Sequence, residues 1–327
     1  SSAASDVYKR QERERVFFAM GSDPTLDKRV SDWVGQVRAR GRSGVHGPIE
    51  FLALDHFLHD MRLYKSRAEV AAMRRAARLS AQAHCELMRH CQPGMYEYQL
   101  ASLFSHHCQM NGAAQLAYSS IVGGGNNACV LHYVENSQVL SQGDLVLIDA
   151  GCEVECYASD ITRTFPVGGR FSDAQRALYE VVLEAQLAAI AKVRAGNHWN
   201  DPHQAAARAL TKGLLKLGLL RGTLTKALKT QSYARFFMHR TGHWLGMDVH
   251  DVGDYKIDGH WRELEPGMVL TVEPGLYIPR GAKGVAKKWQ GIGIRIEDDV
   301  LVTRGEPDVL TRDVPKSVEQ IEALMAG

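Results

Sequence analysis

Three things are scarce in this sequence, and each scarcity removes a class of answer. No apolar run among its 327 residues approaches the ~18 needed for a membrane-spanning helix, so no segment is a candidate span. Charge of one sign is missing: 39 Lys and Arg against 37 Asp and Glu leave +2, too even a balance to argue for a nucleic-acid partner. The short basic clusters, Arg38/Arg40/Arg42 and Lys283/Lys287/Lys288, read as solvated surface. Cysteine is sparse and unpatterned. Cys85, Cys91, Cys108, Cys129, Cys152 and Cys156 form no CxxC pair, which argues against a thiolate zinc site and a disulfide framework. Their apolar neighbours predict buried, reduced thiols and a cytoplasmic setting. HExxH and GxxxxGK[ST] are absent too, so the glycine triplet Gly123–Gly125 is read as a plain turn rather than a phosphate loop. Low-complexity tracts and repeats are lacking, since Glu265-Pro266-Gly267 and Glu273-Pro274-Gly275 are too short to count.

What is present is an ordinary globular composition, 45% apolar and 23% charged, enough for one large domain with a sizeable core plus a small one. Residues 1–11 carry no pattern and are read as a possible non-native scar. Up to residue 62 only fragments of structure are expected, among them Val30, Trp33, Val34 and Val37 at helical spacing, so 1–62 is read as the remnant of an incomplete N-terminal domain. From residue 63 the signals sharpen. Ser66 and Glu69 form a capping box ahead of a helix that Gln92-Pro93-Gly94 stops. A second helix is predicted over 97–110, a strand-like stretch carrying His132 over 129–140, and helices over 173–194 and from Asn200 to Gly218. Beyond residue 235 strands dominate. Helices in a block followed by strands predict an α+β domain over 63–327.

The chemistry gathers at strand ends. Leu145 to Ile148 form a buried apolar run that delivers Asp149 next to the core, where an unpaired charge costs several kcal/mol. Asp160 is expected to open the neighbouring strand, sharing a face with Thr162 and Thr164. Glu273 ends 269–273, and Glu297 ends 292–297 with Arg295 beside it. Asp298 and Asp299 are expected in a loop or at the rim. Each carboxylate alone is more often a turn residue or half of an ion pair. Four together call for divalent cations. The segment Met238–Asp251 adds His239, His243 and His250, although its two glycines argue against a helix pairing the first two. An oxygen-rich set with one nitrogen favours pairs of Mn, Co, Fe or Zn over a closed structural zinc.

In this order the motifs Asp149-Ala150-Gly151, Asp160-Ile161-Thr162-Arg163-Thr164-Phe165-Pro166-Val167, His239 to Asp251, Val272 to Tyr277 and Gly293 to Asp299 resemble the aminopeptidase P (Xaa-Pro aminopeptidase) family, bacterial type. The resemblance covers about 63–325. It implies the pita-bread fold, an antiparallel-rich curved sheet with helices on its outer face. It also implies release of the N-terminal residue from peptides with proline in second place, by hydroxide bridging two metal ions. By the same resemblance Asp149, Asp160, His243, Glu273 and Glu297 are the ligands of two divalent ions, with manganese expected first. Asp160 and Glu297 bridge them, and Glu273 doubles as general base. His250 and His132 stabilise the oxyanion or hold the substrate backbone, His239 and Tyr277 wall the proline pocket, and Arg295 holds a ligand carboxylate from behind. The family carries a complete N-terminal domain, which predicts a homo-oligomer in the full-length form. The shortened front is expected to cost subunit contacts and substrate positioning. Prolidase shares fold and ligands and stands as the alternative. Methionine aminopeptidase matches less well, and a metal-free pita-bread binding module is the reading from a different class.

Overall fold

The computed structural model describes residues 13–327, which divide into two compact units, 13–62 and 63–327. The tract 1–11 read as a scar lies outside the described residues. In the first unit β1 (Arg15–Phe18) pairs in parallel with β2 (Glu50–Ala53). Between them runs α1 (Pro24–Ala39), capped by the Asp23 side chain accepting from Thr25 N–H, with Val30, Trp33, Val34 and Val37 on its buried face as their spacing predicts. Helix α2 (Leu54–Leu63) leads out of the unit.

The second unit opens with α3 (Arg67–His90), whose Ser66–Glu69 capping box is formed in both directions. Its Ala-rich face, from Ala72 to Leu87, is buried. Helix α4 (Glu97–Met110) spans the expected residues. Strands β3 (Gln115–Leu116), β4 (Ile121–Gly124), β5 (Leu145–Asp149), β6 (Cys152–Val154), β7 (Tyr157–Ala158) and β8 (Thr162–Pro166) follow and build two three-stranded sheets, β4-β5-β8 and β3-β6-β7. Helices α5 (Asp173–Ile190), α6 (Asn200–Lys216) and α7 (Leu224–Lys229) separate them from the second strand block. That block holds β9 (Lys256–Ile257), β10 (His260–Trp261), β11 (Val269–Val272), β12 (Gly275–Ile278), β13 (Ile292–Arg295), β14 (Asp298–Leu301) and β15 (Asp308–Val309), before the terminal α8 (Val318–Met325). Every strand pair described in this unit is antiparallel, and α3 packs on β6 and β7 while α5 packs on β11 to β13. The α+β class is therefore as expected.

Several local expectations need correction. The stretch 129–140 is not a strand but a loop. Its end bridges to the backbone around Tyr96, and side chains supply further anchors. Asn136 Oδ1 accepts from Val122 N–H at 2.8 Å, and its Nδ2 donates to Ser120 O at 2.9 Å. The buried Glu97 carboxylate, at the N-terminus of α4, accepts from Gly124 N–H, Gln138 N–H, Asn127 Nδ2 and Tyr133 Oη. The glycine triplet is likewise no simple turn. Gly123 and Gly124 lie in β4, where a Cβ on Gly123 would meet Ala128 N at 2.9 Å, so a short 3₁₀ turn packs directly on the strand. Asp160 precedes β8 rather than opening it, and Glu297 sits in the break between β13 and β14. The helix read over 173–194 ends at Ile190. Among the cysteines, all free, Cys156 is exposed in the tight turn between β6 and β7, against the expected burial.

Candidate metal centre

The centre is assembled where β5, β8, β11 and the β13–β14 break converge. The pairing of β5 sets Asp149 opposite Ile121 on one side and Thr162 on the other, with Leu145 to Ile148 buried behind it. Asp160 is 4% exposed, and its amide donates to Asp299 Oδ2 at 3.1 Å. Glu297 is 2% exposed; its own N–H donates to Thr162 O at 3.0 Å, and Thr162 Oγ1 donates to its Oε2 at 2.5 Å. Thr162 thus holds the carboxylate through backbone and side chain together.

The histidine segment is irregular, not helical. It runs beside β11: Thr271 N–H donates to His243 O, Glu273 N–H to Thr241 O, and Leu245 N–H to Val269 O. Gly242 is required for this approach, since a Cβ there would lie 2.0 Å from Thr271 O. His243 Nδ1 donates to Trp244 O at 2.9 Å, which fixes the tautomer and leaves Nε2 directed at Asp160 Oδ2, 3.3 Å away. Glu273, one residue past β11, brings Oε1 to 3.9 Å from the same nitrogen. One ligand atom each from Asp160, His243 and Glu297 lies within 4.8 Å of the others.

Electrostatics decides what such a cluster needs. Burial, followed by the charges of Asp160, Glu273 and Asp149, pushes the Glu297 carboxyl well above the usual range. Burial pushes Glu273 up to about 7, against the opposing pull of His243 and Arg295. Burial works against a charged His243, yet the hydrogen bond and charge of Asp160 outweigh it and hold the ring up to about 9. The fixed cation facing the acids is Arg295, and its donors are used: Nη2 on Asp149, Nε on Thr162 Oγ1 at 3.1 Å, Nη1 on Tyr277 Oη at 3.1 Å. An acid set this crowded fits divalent cations. The donors are oxygens with a single imidazole nitrogen, the chemistry of a hard or borderline ion.

The cleft above the centre holds about 450 Å³ and brings together all five expected ligands, Arg295, and His132, His239 and His250. His132 and His250 are exposed on its wall, the His250 ring lying 4.2 Å from that of His243. Tyr277 differs from expectation: it is fully buried, behind the wall rather than on it. Its hydroxyl accepts from Arg295 and donates to His239 Nε2 at 2.9 Å, while His239 Nδ1 donates to Arg240 O at 2.7 Å. Both ring nitrogens are thereby committed to a neutral imidazole; burial, then Arg295, lowers that ring's pKa to about 4. Asp298 and Asp299 are also buried, not at the rim. Tyr118 was missed altogether. Its hydroxyl bonds Asp149 Oδ1 at 2.6 Å and also Asp160, from a segment between β3 and β4 that no periodicity or motif marks.

Comparison with known proteins identifies the family and the fold. The pattern of metallopeptidase family M24 matches residues 71–304. The Xaa-Pro aminopeptidase of Escherichia coli (strain K12) is 45% identical over 312 residues, which are 95% of this chain and 70% of that protein. That of Haemophilus influenzae is 47% identical over 276 residues, 84% of this chain and 64% of the relative. The chain thus spans roughly two thirds of the length of these relatives. A solved aminopeptidase from Pseudomonas aeruginosa superimposes with a TM-score of 0.97 at 54% identity, covering 99% of this chain and 73% of that one, so the fold is the expected pita-bread architecture. The chain belongs to metallopeptidase family M24.

Proposed function

We propose that the chain is a divalent-metal Xaa-Pro aminopeptidase, releasing the first residue of peptides whose second residue is proline. The convergence of Asp160, His243 and Glu297 on one point, inside a buried excess of carboxylates, carries this reading. Asp149, Asp160, His243, Glu273 and Glu297 would hold two ions. Bound there, such ions supply Lewis-acid polarisation of the scissile carbonyl and a water acidic enough to attack near neutral pH. The chain's own groups do the rest. Glu273 faces the cleft and takes the proton of the attacking water. His132 and His250 present ring nitrogens to the substrate carbonyl as charge develops on it. His239, held neutral and immobile by Tyr277, offers a flat wall to the proline ring. Arg295 and Tyr118 restrain Asp149.

Exhaustive chelation should abolish hydrolysis of Xaa-Pro-Yaa peptides, and Mn²⁺ should restore it best among Mn²⁺, Co²⁺, Zn²⁺ and Fe²⁺, because the donor set is hard and lacks thiolate. Full turnover after chelation would end the metal reading. Cleavage confined to Xaa-Pro dipeptides would convert the assignment to prolidase. His250→Ala should keep its metal while kcat/KM falls by roughly 10²–10³-fold, the effect of losing one oxyanion donor. A metal-depleted His250→Ala protein would show instead that the ring supports the centre. A homo-oligomer and a cytoplasmic setting complete the proposal. The six free cysteines suit a reducing compartment, and solution mass tests the assembly. Among the described residues no helix is long and apolar enough to cross a membrane.

A further inference from the structure

The side chain of Arg240 lies where the metal cleft adjoins a second, open groove of about 720 Å³, and it lines both. The groove's other walls include Lys192, His203, Arg208, Tyr233 and Trp261. Arg240 is held for a purpose other than an ion pair. Its Cζ stands 5.1 Å over the Trp261 ring and its Nη2 donates to Asn200 Oδ1. Among the described residues no carboxylate is paired with it, and Asp201 nearby accepts from His198 N–H at 2.8 Å. The cleft's other guanidinium, Arg295, has its donors filled by Asp149, Thr162 and Tyr277. Arg240 is therefore the cation the cleft keeps for something else.

This inference rests on the Xaa-Pro aminopeptidase reading. A peptide cut after its first residue lays its remainder away from the crowded acids, along the wall that His239 forms. His239 is neutral, so the first charged group on that path is the next residue, Arg240. In a tripeptide the remainder ends in a carboxylate. We propose that Arg240 binds a carboxylate of the downstream half of the substrate, either the C-terminal group of a short Xaa-Pro-Yaa peptide or an Asp or Glu side chain at the same place in a longer one. Its planar fork suits a carboxylate, and stacking on Trp261 fixes its orientation before the peptide arrives.

The test compares metal-loaded wild type with Arg240→Gln and Arg240→Lys on matched pairs: Xaa-Pro-Yaa as free acid and as C-terminal amide, and Xaa-Pro-Glu-Yaa-amide against Xaa-Pro-Gln-Yaa-amide. Wild type should favour the acid of at least one pair by about tenfold, expressed mainly in KM. The acid-to-amide pair reports the chain terminus, the Glu-to-Gln pair the side chain. Arg240→Gln should bring the ratio to near one, and Arg240→Lys should restore part of it. Calorimetry with Pro-Yaa acid and amide reads the same preference without turnover. Cleavage without any acid preference in wild type, or a preference that survives Arg240→Gln, overturns the proposal. An Arg240-dependent preference in binding without any cleavage would uphold it and count against the hydrolytic reading instead.

Discussion

Glu297→Ala is expected to lose metal and Xaa-Pro peptide hydrolysis together, with kcat/KM falling at least about a thousandfold. That lies well beyond the ~10–100-fold that follows removal of a group merely hydrogen-bonded to a ligand. Thr162→Ala supplies the comparison, since Thr162 Oγ1 donates to Glu297 Oε2 and accepts from Arg295 without facing the ion site itself. The stability readout runs the other way. Without metal, Glu297 is buried against Asp160, Glu273 and Asp149 and its carboxyl is pushed well up, so this protein is working against its own charges. Alanine removes the cost of burying that carboxyl. The metal-free variant should therefore melt no lower than metal-free wild type, apart from the cost of the small cavity. Adding Mn²⁺ should raise the Tm of wild type and leave the variant unmoved, because only a protein that binds the ion gains by mass action. Metal analysis with thermal unfolding in the presence and absence of Mn²⁺ checks both halves. A fully loaded, active Glu297→Ala protein would remove this residue from the ligand set.

How the centre could be read from sequence depends on where each residue finds its partners. Asp149 was legible because its whole context is local: an apolar run, one acid, a glycine. The Ser66 capping box was legible for the same reason, closing within a single turn. The loop 129–140 was not, because what anchors it lies elsewhere in the chain: Glu97 accepts from Gln138 N–H, Asn136 binds the backbone of Val122, and nothing in its own residues announces either. Tyr118 was hidden likewise, since it becomes significant only when β5 and β8 bring Asp149 and Asp160 under its hydroxyl. For Tyr277 the place on the pocket wall comes from the resemblance alone. The alternation of β12, paired with β13, instead turns it inward to join Arg295 to His239. Asp298 and Asp299 show the sharpest limit. A run of three acids reads as surface, and only distant cations make its burial possible.

Those cations set the second large effect: Asp298→Ala should destabilise the protein by about 3–5 kcal/mol. Asp298 and Arg163 are both fully buried. Arg163 Nη2 reaches Asp298 Oδ1 at 2.7 Å and also donates to Val314 O, Nη1 donates to the carbonyls of Thr162 and Glu297, and Nε to that of Pro315. Gln186 and Lys316 each meet Asp298 Oδ2 at 2.7 Å, and Thr311 Oγ1 donates to Oδ1 at 2.7 Å. Removing the carboxylate leaves a guanidinium with no counter-charge in the core, ringed by carbonyls that cannot neutralise it. Burial alone would raise the Asp298 pKa, but Arg163 and then Lys316 outweigh it and hold it down at about 2, from an ordinary 3.8. A folded-state pKa below the unfolded one contributes stability that is present above the unfolded value. That contribution, about 2 kcal/mol here, is lost as pH falls through roughly 4 towards 2. Asp298→Asn keeps the shape and an acceptor but not the charge, so its deficit should be smaller than alanine's at pH 7 and should shrink towards wild type near pH 2. Denaturant unfolding of the three proteins from pH 7 downward, compared by midpoint at constant m-value, measures this. A midpoint for Asp298→Ala within about 1 kcal/mol of wild type at pH 7, or a gap between wild type and Asp298→Asn that does not narrow on acidification, would mean that Arg163 finds its compensation elsewhere.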